Sequence, residues 1–294
     1  MIAYKLSLVL SEGLIFGLLA IGIFITFQWL RFPDLTPDGS FVLGACAYAK
    51  AVLHGIPPVV ALLLAFCSGC LAGCCTATVN RFAKIPAVVS GLLVSSGLYS
   101  ATWLLLGKPN QFLDSQFTLV GDVTGSAAAW RLLVWLVAIA ILVVAAISAF
   151  GRSFWGLRLR ALGENPLLEH ELGASITKYS FFSLAAANGF VGLAGALFAQ
   201  RSYSVDINMG IGVTITGLTG MILGLLLTRQ RRKLTIVAMC IFAGAILHKL
   251  IVFLALEAGM PAESFRLVTA VFLVGIFFLL KNSAMDFLKG LKWN

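Results

Sequence analysis

The sequence predicts an all-α polytopic membrane protein with about eight membrane crossings and one or two half-helices, and its composition supports this prediction. Hydrophobic residues make up 60% of the 294 residues, charged residues only 11%, and the mean hydropathy is +0.99. Soluble chains carry about 25% charged residues, so a water-soluble globule, a disordered chain and a long soluble catalytic domain are all excluded. Because a spanning helix needs about 20 apolar residues, the chain has room for roughly eight to ten spans.

Apolar runs and the breaks between them define the predicted spans. These are residues 7–30, 57–79, 85–106, 130–150, 179–200, 211–228, 234–256 and 266–280. Residues 41–54 are also apolar, but this run has only fourteen residues, contains Lys50 and is followed by Gly55 and two prolines. Fourteen residues are too few to cross about 30 Å of hydrocarbon, so the run is predicted to be a half-helix or re-entrant segment.

The basic residues predict which side of the membrane each turn faces. With a cytoplasmic N-terminus and a half-helix that does not cross, fourteen of the 21 Lys and Arg residues are cytoplasmic and five lie opposite. The fourteen are Lys5, Arg81, Lys84, Arg152, Arg158, Arg160, Lys178, Arg229, Arg231, Arg232, Lys233, Lys281, Lys289 and Lys292. The five are Arg31, Lys108, Arg131, Arg201 and Arg266. This bias is typical of a bacterial cytoplasmic (inner) membrane protein, here with both termini cytoplasmic, and it explains the net charge of +9 without a nucleic-acid partner.

An offset of about 172 residues relates the two halves of the chain. It places the first span and Asp34 over the span 179–200 and Asp206. Because both halves would then start from the same side, the offset predicts a parallel internal repeat. The predicted organisation is a first transmembrane half (1–150), a cytoplasmic coupling segment (151–178), and a second transmembrane half with a cytoplasmic tail (179–294).

Small residues recur at four-residue spacing in several spans. The pairs are Gly13 with Gly17, Gly69 with Gly73 and Gly220 with Gly224, and Gly189, Gly192 and Gly195 form a further stripe. In lipid, such spacing favours close approach of helices. We therefore expect tight helix packing at these positions.

The longest hydrophilic stretch on the predicted cytoplasmic side joins the two halves. Asn165 is suited to cap a short helix over 167–172, with Pro166 at its first position and Gly173 just past its end. Such a helix would present these side chains to a cytoplasmic partner: Leu167, Leu168, Glu169 and Glu171. The alternative is a plain connecting loop that contains a helical turn.

Three stretches of the sequence resemble one known family. Residues 156–166 (GLRLRALGENP), followed by Leu172 and Gly173, resemble the cytoplasmic coupling segment of ABC importer permeases of the branched-chain amino acid and ribose type. Residues 32–41 (FPDLTPDGSF) and 206–212 (DINMGIG) are similar to two further stretches of these permeases. Together the three are most similar to a subgroup described as tryptophan, tyrosine or other amino-acid permeases, and the resemblance covers nearly the whole chain.

The resemblance implies partners and a coupling site. Two permease copies, most simply a homodimer, would form the pathway, a cytoplasmic ABC ATPase would dock on residues 165–173, and an extracytoplasmic binding protein would deliver the substrate. The chain has no Gly-x-x-x-x-Gly-Lys-Ser/Thr phosphate loop, so ATP and Mg are expected on the ATPase and no cofactor or enzyme activity on this chain. The residues implied in ATPase coupling are Arg160, Gly163, Glu164, Asn165, Pro166, Leu167, Leu168, Glu169 and Gly173.

Residues of the substrate pathway are expected among buried charges and at the starts of broken helices. Ionisable groups at membrane depth are costly and usually face a protein interior or water. The candidates of this kind, with Glu12 and Lys50 first among them, are Glu12, Lys50, His54, His248 and Lys249. Broken helices aim their N-terminal N–H groups at a cavity and suit a carboxylate, although an ordinary cap at the membrane surface is the alternative. The candidates at the two predicted helix starts are Asp38, Ser40, Asp206 and Asn208.

Two other functions stay open on the residues alone. One is a secondary carrier that uses Glu12, Lys50 and His248 for ion coupling. The other is a membrane scaffold subunit that transports nothing. Co-purification with an ATPase separates both from an importer.

Four cysteines have a spacing that would suggest a metal cluster in a soluble protein. They are Cys67, Cys70, Cys74 and Cys75. All four fall within an apolar run, where a thiolate without a compensating cation is unfavourable and Cys behaves as a small hydrophobic residue. We therefore expect a packing role and no metal site.

Overall fold

The computed structural model describes residues 2–119, 125–165, 175–228, 233–261 and 265–279. Within these ranges the chain forms ten α-helices and one small β-ladder. The helices are α1 Ile2–Phe24, α2 Pro37–Leu53, α3 Pro58–Phe82, α4 Ala87–Leu106, α5 Gly125–Arg152, α6 Phe154–Glu164, α7 Ile176–Ser202, α8 Val213–Leu227, α9 Leu234–Glu257 and α10 Phe265–Leu279. A π-helical turn, Ile25–Trp29, extends α1, and 3₁₀ turns form at Ser115–Phe117 and Ile207–Gly210. Strands β1 Asn110–Phe112 and β2 Ser204–Asp206 pair antiparallel, with Gln111 opposite Val205.

Seven helical segments among the described residues are long and apolar enough to cross a membrane. They are residues 4–29, 58–82, 87–106, 127–152, 176–202, 207–227 and 234–257. They correspond to the first seven predicted spans, and the predicted all-α polytopic membrane fold is confirmed. The eighth predicted span, 266–280, overlaps α10, whose 15 described residues are fewer than the roughly 20 that a crossing needs.

The predicted half-helix corresponds to α2, which starts four residues earlier than predicted. Pro37 occupies the first turn, where the missing N–H of proline costs nothing, and the helix has 17 residues. The loop before it lies inside the bundle, because Asp34 accepts a hydrogen bond of 2.7 Å from Asn188, which is midway along the 27-residue α7. Helix α2 therefore begins at membrane depth.

Helix α8 also begins inside the bundle. The predicted span 211–228 is broken at Gly212, whose φ of +83° is a left-handed conformation that glycine adopts without strain, and α8 itself has 15 residues. The first residues of α8 contact Asp38 at the start of α2. The two helix starts thus meet at the same depth.

Helices α1 and α7 are antiparallel, which corrects the prediction of a parallel repeat. Gly22 near the end of α1 packs against the Ala187 carbonyl, and Arg201 near the end of α7 donates to the Leu8 carbonyl oxygen at 3.4 Å. A parallel repeat would place the starts of these two helices on one side. That prediction is wrong because residues 30–36 turn back into the bundle and do not continue to the opposite surface.

The two ends of the bundle are marked by different elements. Lys5 near the start of α1 pairs with Glu257 at the end of α9, with 2.6 Å between Nζ and Oε1. These residues share the end of the molecule that carries β1 and β2, which we call the ladder end. The opposite end, which we call the α6 end, holds Trp29, whose ring lies 6.0 Å from that of Phe150 and whose carbonyl faces Gly163 of α6. The prediction that Lys5 and the 152–160 turn lie on one side of the membrane is therefore wrong.

Glycines allow the helices to approach one another, as their spacing predicts. Gly69 and Gly73 of α3 pack against the backbone of α7, at Asn188 and Leu184. Gly224 of α8 packs in the same way against the backbone of α9. A side chain at any of these glycines would meet main-chain atoms of the neighbouring helix, so the prediction of tight packing is confirmed.

Candidate functional site

A cavity of about 490 Å³ opens between α1, α7, α8 and α9 near the ladder end. This volume lies in the range of sites that hold small molecules, roughly 300–1,000 Å³. Most of its wall is apolar and includes the aromatic residues Phe16, Phe198 and Phe253. The polar residues that line it are Lys5, Glu12, Arg201, Asn208, Thr216 and Lys249.

Three charged side chains meet at the wall of this cavity, and we call Glu12, Lys249 and Arg201 the charge triad. Glu12 Oε1 lies 3.3 Å from Lys249 Nζ, and Glu12 Oε2 lies 3.7 Å from Arg201 Nη2. Lys249 also sits 3.5 Å from the centroid of the Phe16 ring, a cation–π contact. Two cations against one carboxylate leave the triad with one excess positive charge.

Close packing of α1 and α9 places two members of the triad together. Gly13 of α1 lies against the main chain and side chain of Ile246 in α9, and Gly17 leaves room for the Phe242 ring, so the two helices pack closely. Glu12, next to Gly13, then reaches Lys249, although 237 residues separate the two in sequence. Arg201 joins them from the last turn of α7, where a cation also interacts favourably with the helix dipole.

Asp38 links the starts of α2 and α8. Its Oδ1 accepts hydrogen bonds from the Thr214 amide at 2.8 Å and the Thr214 hydroxyl at 2.6 Å, and its Oδ2 accepts from the Gly212 amide at 3.1 Å. A carboxylate at a helix N-terminus satisfies free N–H groups and complements the dipole. Asp38 therefore caps α8, and these two N–H groups are occupied within the subunit.

Replacing Asp38 tests this cap. We expect Asp38→Ala to lower stability by about 1–2 kcal/mol, because the Gly212 and Thr214 amides lose their acceptor. The loss is measured as a lower midpoint of thermal unfolding of the purified chain in detergent. Asp114→Ala is the matched control, since Asp114 is exposed and its side chain makes no cap hydrogen bond. Equal midpoints for the two variants would contradict the cap.

A second, fully buried network lies between α2, α3 and α7. Asp34 Oδ1 accepts from the Thr36 amide at 2.9 Å and the Thr36 hydroxyl at 2.5 Å, and Asp34 Oδ2 accepts from Asn188 Nδ2 at 2.7 Å. Ser40 donates to Asn188 Oδ1 at 2.7 Å, and the hydroxyls of Thr36 and Thr76 are 2.7 Å apart. Neutral donors thus satisfy the carboxylate and join the loop before α2 to three helices.

The structure separates the predicted pathway residues into different places. Glu12 and Asn208 line the same cavity. Ser40 belongs to the buried network, and Asp206 Oδ1 accepts from the Asn208 amide at 2.6 Å. Lys50 is exposed on the last turn of α2 and does not line the cavity.

The predicted coupling residues fall at the α6 end. Arg160 donates to the Gly151 carbonyl oxygen at 2.6 Å and so fastens α6 to the end of α5, while Gly163 packs on the Trp29 carbonyl. Glu164 ends α6 and is exposed, and Asn165 follows as its C-cap. The other predicted coupling residues lie outside the described residues: Pro166, Leu167, Leu168, Glu169 and Gly173.

Arg201 is not among the pathway residues that the sequence predicts and appears there only as a basic residue opposite the cytoplasm. Lys249 is a candidate at membrane depth, without a predicted partner. One signal was available, because a carboxylate such as Glu12 at membrane depth requires a cation nearby. Which cation it meets depends on how the helices pack.

Comparison with known proteins identifies the family and the fold. Residues 6–280 match the family model described as branched-chain amino acid transport system / permease component. The chain is 31% identical over 269 residues to a tyrosine transport system permease protein of Clostridioides difficile (strain R20291), covering 90% of this chain and 88% of that protein.

Two solved structures share the fold. PsaBC from Streptococcus pneumoniae, solved in complex with a Fab, has a TM-score of 0.57 at 16% identity and covers 92% of this chain and 89% of the other. A metal-chelate type ABC transporter in an inward-facing conformation has a TM-score of 0.52 at 14% identity, covering 95% and 85%. Family and fold together make this chain a multi-pass ABC transporter permease of the inner membrane, with ATPase and binding-protein partners implied. The chain therefore belongs to the branched-chain amino acid transport system / permease component family.

Proposed function

We propose that the chain is the permease subunit of an ATP-driven importer for an amino acid or a similar small solute. The cavity carries this proposal, because it combines charged groups of both signs with aromatic and aliphatic walls. An amino acid has the same combination, a zwitterionic head and, in many cases, an apolar side chain. The similarity to a tyrosine transport permease supports the same substrate class.

The proposal places the α6 end in the cytoplasm and the ladder end outside. The basic turn Arg152 to Arg160 lies at the α6 end, as the positive-inside rule favours. The sequence prediction has Lys5 in the cytoplasm and Arg31 outside. In this proposal Lys5 lies outside and Arg31, which is close to Trp29 in sequence, lies in the cytoplasm. The bias of fourteen basic residues to five is unchanged by this exchange. The cavity then opens toward the side from which a binding protein would deliver the solute.

A separate ATPase supplies the energy in this proposal. It docks on residues 165–173 and binds ATP and Mg, while a second permease copy completes the pathway. Arg160 and Gly163 transmit the movement, since they hold α6 against the ends of α5 and α1.

Reconstitution tests the proposed function. The chain is co-expressed with the ATPase and binding-protein candidates found among its neighbouring genes. It should co-purify with the ATPase, and the complex should take up labelled L-tyrosine or L-leucine into proteoliposomes only with ATP. Leu168→Ala and Glu169→Lys should reduce ATPase recovery at least tenfold, because they alter the proposed docking helix. Asp114→Lys is the control, since this exposed acid lies beside β1, away from α6.

Three results would contradict the proposal. Uptake that persists without ATP while an ion gradient is held would indicate a secondary carrier. Normal ATPase recovery with Leu168→Ala and Glu169→Lys would remove the docking segment from the proposal. A complex that binds no ATPase and transports nothing would indicate a scaffold subunit.

A further inference from the structure

The charge triad has unused hydrogen-bonding capacity on its cations. A guanidinium has five N–H donors and an ammonium has three. Arg201 Nη2 reaches Leu8 O at 3.4 Å and lies 3.7 Å from Glu12, while Arg201 Nε is buried without a hydrogen-bond partner among the described residues. Lys249 donates one hydrogen bond, to Glu12 at 3.3 Å. Unpaired buried donors are costly, so this arrangement favours a further acceptor.

The excess charge of the triad defines what that acceptor would be. Glu12 balances one of the two cations, and the second has no anion within the triad. A ligand carboxylate would neutralise it, and a guanidinium is well shaped to bind a carboxylate through two parallel hydrogen bonds.

The start of α8, another feature near the cavity that could attract an anion, is partly occupied. Gly212 and Val213 line the cavity, but the amides of Gly212 and Thr214 donate to Asp38. Two of the N–H groups at this helix start are thus satisfied by a carboxylate of the protein itself, which weakens its attraction for a substrate carboxylate. Among the described residues that line the cavity, Arg201 and Lys249 remain as the buried or half-buried cations.

We propose that the charge triad is the site at which the permease itself recognises a zwitterionic amino acid. Arg201, assisted by Lys249, binds the carboxylate, and Glu12 binds the ammonium group. The amino-acid side chain lies against Phe16, Phe198 and neighbouring apolar residues. This inference rests on the proposed function and deepens it by assigning the specificity of the permease to residues of its own cavity.

Ligand pairs that differ only in the carboxylate test the site. The full-length chain in nanodiscs is titrated with L-tyrosine, L-tryptophan and L-leucine and with the corresponding amines, which are tyramine, tryptamine and isoamylamine. We expect wild-type protein to bind at least one amino acid about tenfold or more tightly than its amine, the difference that one charge-assisted hydrogen bond makes. Binding is measured as a ligand-dependent rise of the unfolding midpoint.

Arg201→Gln is the informative variant, because it leaves the Glu12–Lys249 pair intact and creates no unpaired charge in the triad. We expect it to abolish the preference for the amino acid over the amine, and Arg201→Lys to restore part of that preference. Arg81→Gln is the matched control: Arg81 is also an arginine in the last turn of a helix, α3, but it is exposed and does not line the cavity. We expect Arg81→Gln to retain the wild-type preference.

A purely structural ion pair would behave differently. It would lower the midpoint of the Arg201→Gln variant without ligand but leave the amino-acid to amine ratio unchanged, and this result overturns the inference. Wild-type protein that binds amino acid and amine equally, or binds neither, also overturns it. In these cases the complete transporter could still show ATP-driven amino-acid uptake. The proposed function would then stand, and the binding protein alone would select the substrate.

Discussion

Asp34→Ala is expected to lower stability by about 3–5 kcal/mol, the largest loss that we predict for a polar side chain of this protein. Asp34 is fully buried, and its removal leaves the Thr36 amide, the Thr36 hydroxyl and Asn188 Nδ2 without their acceptor. A buried donor without a partner costs about 1–3 kcal/mol, and three donors lose their acceptor in this variant. The measurement is the thermal unfolding midpoint of the purified chain in detergent.

Further variants test whether the stability depends on the specific hydrogen bonds of this network. Ser40→Ala removes one hydrogen bond to Asn188 and should cost about 1 kcal/mol. In Asp34→Asn, the side-chain NH2 group of residue 34 can face that of Asn188, so the hydrogen bond between the two side chains is lost. Adding Asn188→Asp restores a donor and an acceptor, and the double variant should recover at least half of the lost stability. A double variant no more stable than Asp34→Asn alone would refute the pairing of these side chains.

Gly44→Leu is expected to prevent α2 from packing on α7. A side chain at Gly44 would overlap the carbonyl oxygen and the Cα of Gly192, and neither can rotate away because both belong to the main chain. Overpacking usually lowers the free energy of unfolding by about 1–3 kcal/mol. Because main-chain atoms cannot move aside, we expect the loss for Gly44→Leu to be at or above the upper figure. We expect a large loss of monodisperse protein in size-exclusion chromatography and a midpoint many degrees lower.

Gly97→Leu provides the matched control for this substitution. Gly97 is an exposed residue of α4, and a Cβ there meets nothing within 4 Å. Leucine also has the higher helix propensity, by about 0.5–1 kcal/mol, so stability should be unchanged or slightly raised. If Gly44→Leu is as stable as Gly97→Leu, the close contact between α2 and α7 does not exist.

The features predicted correctly are those that a short stretch of sequence encodes. Membrane spans follow from the length of an apolar run, and α2 was recognised as a short segment because residues 41–54 are too few to cross. Glycine spacing predicted helix contacts because three- and four-residue steps lie on one helix face. The motifs at 32–41 and 206–212 indicated the family, and in the structure they lie at the starts of α2 and α8.

The prediction of helix direction was wrong for a physical reason. Hydropathy is the same whichever way a helix crosses, so only the charges beyond its ends report its direction. Reversing α1 exchanges Lys5 for Arg31, one basic residue for another, and leaves the charge bias unaltered. The turn of residues 30–36 back into the bundle is joined to α7 by the hydrogen bond between Asp34 and Asn188, which are 154 residues apart.

The sequence by itself determined that this protein is a membrane-spanning permease, where most of its helices lie and which positions pack closely. The tertiary structure decided the antiparallel arrangement of α1 and α7, the capping of α8 by Asp38 and the meeting of Glu12 with Lys249 and Arg201. Apolar length and glycine spacing are local properties that act within one helix. A buried charge is stabilised only by a partner in space, and the packing of distant helices selects that partner.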